Sequence, residues 1–149
     1  MSIDLKSKIQ SDLLDAMRHG EDTRKSTLRM ALSAIKLLEV EKGAKIDEAA
    51  YLAIIQKEIK SRRESIADAE RANRPELITQ AEQEIKVLES YLPTALTEGE
   101  LENMAKDAIS ETGVSSIREM GQVMKILIPR LQGRATGEQA SQVVRKLLQ

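Results

Sequence analysis

Ile78, Ala81, Ile85, Leu88 and Leu92 recur at intervals of three, four, three and four residues, and Pro93 follows at once. Only an α-helix brings residues at that spacing onto one face, and a proline beyond them stops it. The stripe therefore predicts a helix with a seam to bury, and it is one of several. Phe and Trp are absent, and β-branched and aromatic residues nowhere alternate as strands require. With 41% hydrophobic and 32% charged residues in 149 positions, the chain has enough apolar surface for a larger and a smaller helical unit.

Ile3, Leu5, Ile9, Leu13, Ala16 and Met17 predict a first helix ending before Gly20. A second begins near Asp22 or Thr23, carries Leu28, Ala31, Leu32, Ile35 and Leu38 on one face, and stops at Gly43. Asp47 is placed to cap a third, with Ile46 and Tyr51 as a hydrophobic staple and Leu52, Ile55, Ile59, Arg62 and Ile66 as its stripe. One basic turn of that helix (Lys57, Lys60, Arg62, Arg63) is interleaved with Glu58 and Glu64 and reads as a solvated, self-paired face. Asn73 reads as the next cap, with Pro75 in the first turn. Four helices joined by short connections predict an antiparallel bundle over residues 1–92.

Residues 93–97 are the best boundary in the chain, and 98–149 predict a smaller three-helix subdomain. Thr97 and Glu100 form a capping box for a helix carrying Leu101, Met104, Ala105, Ala108 and Ile109, closed by Gly113. Ser116 and Glu119 suggest another box before Met120, Val123, Met124 and Leu127. Pro129 removes a backbone donor and crowds the carbonyl of Lys125, so a kink or stop is expected there. Thr136 caps a last helix through Ala140, Val143, Val144, Leu147 and Leu148.

Several chemistries lack their residues. There is no cysteine, hence no disulfide framework and no thiolate zinc site. The lone His19 has no obvious base or ligand partner, and suits the C-terminus of the first helix as a cation. No Walker loop, dinucleotide fingerprint or HExxH helix is present. The acid pairs Glu39/Glu41 and Glu82/Glu84 sit among lysines and read as solvated faces. No catalytic residue, metal ligand or cofactor is assigned. No apolar run is long enough for a membrane span. Met1–Lys8 lacks the apolar core of a signal peptide, so a cytoplasmic protein is expected.

Charge is unevenly placed. Residues 113–149 hold Arg118, Lys125, Arg130, Arg134, Arg145 and Lys146 against Glu119 and Glu138, a net of +4; residues 1–112 hold 17 basic and 22 acidic residues, a net of −5. Within the tail, Arg130 and Arg134 flank a glycine-punctuated loop that feeds the last helix. Its unpaired N–H groups favour an anion. Gly133 and Gly137 permit close approach, and the arginines could grip a phosphate bidentately. The same glycines also read simply as a helix stop and a turn. With Tyr51 and Tyr91 the only aromatic residues, a nucleic acid would be held by its backbone rather than by base stacking. The expected phosphate contacts are Lys125, Arg130, Gly133, Arg134, Gly137, Arg145 and Lys146.

Arg29-Met-Ala-Leu-Ser-Ala-Ile35, Glu89-Ser-Tyr-Leu-Pro93, and Met120-Gly-Gln-Val-Met124 followed by Pro129, Gly133-Arg-Ala and Gly137 resemble the GatB/YqeY family over the whole chain. The resemblance implies an all-helical N-terminal part and a three-helix C-terminal part. It also implies kinship with the C-terminal end of the GatB component of the tRNA-dependent amidotransferase, where the tail contacts tRNA. The catalytic cradle and the separate amidase of that enzyme have no counterpart here, so a carbon–nitrogen ligase label would be inherited. The family commonly has a small residue where Lys125 stands and Asp where Thr136 stands. The expectation is a non-catalytic tRNA-binding accessory module. The alternatives are an adapter docking on a synthetase or amidotransferase, and a transamidation enzyme.

Overall fold

The computed structural model describes residues 4–43 and 46–149. Ile3 of the first stripe lies outside them. The described residues form seven α-helices and one short 3-10 turn and contain no strand. They fall into two compact units, Met1–Leu92 and Pro93–Gln149. Among the described residues no helix is long and apolar enough to cross a membrane.

The N-terminal unit contains α1 (Leu5–Arg18), α2 (Asp22–Lys42), α3 (Glu48–Arg71) and α4 (Pro75–Glu89). Asp4 opens α1 by accepting the Ser7 N–H at 2.8 Å, and Asp47 opens α3 by accepting that of Ala50 at 2.9 Å. Gly43 ends α2 at φ +66°, where a Cβ would be strained. Lys6–Glu39 at 2.8 Å and Arg24–Asp15 at 2.9 Å pair the two ends of α1 with the opposite ends of α2, so the helices run antiparallel. Arg62–Glu84 at 3.4 Å and Arg63–Glu89 at 3.1 Å link α3 to α4. The arrangement centres on α2, which packs on α1, α3 and α4. Ile9, Leu28, Ile35, Ile55 and Leu88 are fully buried in the shared core. Each contributes about 1.5–3 kcal/mol of burial free energy.

Several local expectations are corrected in this unit. Asn73 is not a cap: it takes the left-handed conformation at φ 54°, and α4 starts from Arg74 without a side-chain cap bond. Asparagine is among the few residues that tolerate that conformation, so it serves the turn instead. Arg62 does not belong to a solvated face. It is 6% exposed and donates to the Glu58 carbonyl at 3.0 Å and to the Glu58 carboxylate at 2.8 Å, with Met30 Sδ at 3.6 Å. Glu39 and Glu84, expected in solvent, are largely covered and pair with Lys6 and Arg62. Met17, placed in the buried stripe of α1, is exposed.

The C-terminal unit contains α5 (Glu98–Thr112), α6 (Met120–Leu131) and α7 (Gly137–Leu148), each packed on the other two. Val123, Leu127, Ala105, Ala108, Ala140 and Val144 fill its core. The Thr97/Glu100 capping box is present, with Gly113 left-handed at the far end of α5. Ser116 behaves differently from expectation. It accepts from Arg118 N–H at 3.2 Å and opens a three-residue 3-10 turn, Ile117–Glu119, ahead of α6. Of the kink or stop expected at Pro129, the stop does not fall there: Pro129 sits inside α6, which continues to Leu131. In the last turn proline costs a single ladder bond, to Lys125, and Leu131 stays in the core. The left-handed end falls at Gln132, φ 49°, and continues at Gly133, φ 77°.

Candidate nucleic-acid interface

Thr136 closes a capping box with Gln139. The Gln139 N–H donates to Thr136 Oγ1 and the Thr136 N–H to Gln139 Oε1, both at 3.0 Å. Two donors that could have met an anion are thus satisfied internally, and Glu138 adds a negative charge in the same turn. Gly137 is exposed, and a Cβ there would meet only Ile128 Cδ1, at 4.0 Å. Internal packing therefore leaves room for a side chain at this position.

The two loop arginines point elsewhere. Arg130 pairs with Glu111 at 2.5 Å, whereas Arg134 Nε donates to the Thr94 carbonyl at 2.9 Å and its guanidinium lies 3.9 Å from Glu100. Glu100 and Glu111 stand near opposite ends of α5. Eleven residues at 1.5 Å each separate them by about 16 Å. The expected two-armed grip of Arg130 and Arg134 on one phosphate would require both arginines to leave these partners. Each guanidinium is drawn to its own end of α5 by a side chain or carbonyl that local sequence does not reveal.

The acids responsible belong to a segment of opposite charge. Residues 93–112 hold Lys106 against Glu98, Glu100, Glu102, Asp107 and Glu111, a net of −4. The C-terminal unit is neutral as a whole, acidic on α5 and basic on α6 and α7. Counting residues 93–112 separately would have exposed this balance in the sequence.

Lys125, Arg145 and Lys146 are exposed, and among the described residues no ion pair involves them; the same holds for Arg118. Helices α6 and α7 pack together across a five-residue loop and so run back to back. Lys125 lies about 9 Å from the loop end, and Arg145 and Lys146 about 12–14 Å, at 1.5 Å per residue. These three cations share the half of the hairpin away from the loop, and Arg118 lies just beyond the start of α6. Arg118, absent from the expected contacts, joins that group; Arg130, Gly133, Arg134 and Gly137 lie at the other end.

Among the described residues there is no cluster of His, Asp or Glu able to hold a metal ion. His19 is exposed; its Nδ1–H donates to the Asp15 carbonyl at 2.8 Å, and that bond and the Asp15 carboxylate raise its pKa. It holds the end of α1, a structural task.

Two helical units, the second a capped three-helix assembly with a basic hairpin, define the class. The family follows from comparison: a model described as Yqey-like protein matches residues 6–148, and the chain belongs to that family. Curated relatives agree. A Vanderwaltozyma polyspora protein is 39% identical over 85 residues, 56% of this chain and 46% of its own length. A Lachancea thermotolerans protein is 33% identical over 113 residues, 73% and 60% respectively. A Pyrenophora tritici-repentis protein is 32% identical over 133 residues, 86% and 71%. All three are named "Altered inheritance of mitochondria protein 41, mitochondrial". The chain spans about half the length of several curated relatives it matches.

Those names overturn the expected cytoplasmic location, since they point to the mitochondrion. The reason is physical: composition and the absence of an apolar span do not tell one aqueous compartment from another.

Proposed function

We propose that this protein is a non-catalytic accessory module that holds the backbone of tRNA on the α6–α7 hairpin, away from the Gln132–Thr136 loop. The observation that carries this reading is the set of exposed, unpaired cations Arg118, Lys125, Arg145 and Lys146 in a segment with only two acids. The resemblance to the end of the amidotransferase GatB component supplies tRNA as the polyanion. The exposed His19, engaged at the end of α1, and acids engaged by arginines and lysines support a module without chemistry of its own. The mitochondrial names of the relatives supply the compartment.

The test is a tRNA mobility shift at two salt concentrations. Four phosphate contacts predict an affinity loss on the order of 100-fold between about 50 and 200 mM salt. Arg145→Glu/Lys146→Glu weakens binding and flattens the salt slope, whereas Arg134→Ala leaves both nearly unchanged. A parent protein with no salt-dependent tRNA binding would sink the reading.

A second reading, an adapter for a synthetase or amidotransferase, draws on α2. Met30, Leu37 and Val40 are 53%, 62% and 78% exposed on that helix. A protein partner that survives RNase treatment in a pull-down, and is lost with Leu37→Glu/Val40→Glu, would favour it.

A further inference from the structure

We propose that the backbone between α4 and α5 is loose only at the junction of Leu92 and Pro93, because the chain is fastened on both sides of that pair. This inference stands independently of tRNA binding. On the N-terminal side Tyr91 is 8% exposed, and its hydroxyl donates to Asp12 Oδ2 at 2.5 Å. Lys8 Nζ sits 5.5 Å from the centre of the Tyr91 ring. The Leu92 N–H donates to the Glu89 carbonyl at 3.1 Å, and the Leu92 side chain packs on the N-terminal core. Everything through the Leu92 nitrogen thus belongs to the first unit.

On the other side the fastening is Arg134. Its Nε–H donates to the Thr94 carbonyl at 2.9 Å, and its own carbonyl accepts the Leu96 N–H at 2.9 Å. Leu96 packs on the C-terminal core, and Thr97 begins the α5 capping box. Thr94 to Leu96, which reads as linker in the sequence, is a strap on the α6–α7 loop. Arg134 is its positioning residue.

Between the two fastenings few torsions remain. The ring fixes φ of Pro93, and a residue before proline is held to extended ψ. What is left is a restricted ψ at Leu92, ψ at Pro93 and φ at Thr94.

Amide exchange and 15N relaxation on the full chain test this. The parent is expected to show order parameters for Thr94–Leu96 close to the rigid value of about 0.85. Its Leu96 amide is protected. Arg134→Ala raises Leu96 exchange about fivefold or more and leaves α1–α4 amides unchanged. Order parameters below about 0.6 at residues 94–96 of the parent overturn the proposal. So does unchanged Leu96 exchange in Arg134→Ala.

Discussion

Replacing Arg62 by Met removes one guanidinium and abandons two carboxylates. The Glu58 and Glu84 side chains are only 21% and 19% exposed, and each lies within 3.4 Å of the guanidinium. Methionine fills much of the volume, so the loss is mainly electrostatic. Breaking a buried ion pair costs about 3–5 kcal/mol; with about a fifth of each carboxylate in water, about 2–4 kcal/mol is the better expectation. For a unit of this size that lowers Tm by roughly 8–32 °C, at about 4–8 °C per kcal/mol. Urea titration followed by circular dichroism measures it directly. The companion Arg62→Met/Glu58→Leu/Glu84→Leu separates the causes, because it removes the orphaned charges together with their partner. It is expected within about 1 kcal/mol of the parent, or above it. The reasoning fails if the single variant lies within about 0.5 kcal/mol of the parent, or if the triple variant is less stable than the single.

The two tyrosines are predicted to respond in opposite ways to loss of the hydroxyl. Tyr91→Phe forfeits a hydrogen bond to a carboxylate and costs about 1.5–3 kcal/mol in a denaturant titration. Tyr51→Phe is neutral to slightly stabilising, since the buried Tyr51 hydroxyl has no partner to lose. Burial first, and then the Asp12 bond, push the Tyr91 pKa up. The fold thus favours the neutral phenol, and this contribution is fully present below the unfolded value of about 10 and lost as pH rises through the folded one. Alkaline melting curves should fall more steeply for the parent than for Tyr91→Phe. Gly121→Ala, with nothing within 4 Å of the added Cβ, should stabilise α6 by about 0.5–1 kcal/mol in the same titration. Thr136→Ala should cost about 1 kcal/mol by opening the α7 capping box.

The caps at Asp47, Thr97 and Thr136 and the stops at Gly43 and Gly113 were legible because each depends on three or four neighbouring residues. Asn73 and Ser116 misled for the same local reason: short polar side chains satisfy turns and 3-10 starts as readily as α-helix caps. Pro129 misled because its cost depends on how many turns follow, which Leu131 decides from within the core. Arg62 lay in a correct stripe, yet its burial needed Glu84 from α4 and Met30 from α2. The site was the least legible part. Arg130 and Arg134 carry the right chemistry in the right pattern, but Glu111, Glu100 and Thr94 claim them. Only tertiary contact brings those partners near.

The opposed charges of α5 and of the α6–α7 hairpin leave the C-terminal unit neutral as a whole but unevenly charged. A neutral body feels little net pull from a distant polyion, but it feels a torque. Near a polyanion such a unit would turn its hairpin inward before any contact formed, and near a polycation it would turn α5. Added salt would erase that alignment beyond a Debye length of about 8–10 Å. Productive first encounters would then become rarer, even for a surface whose final contacts were unchanged.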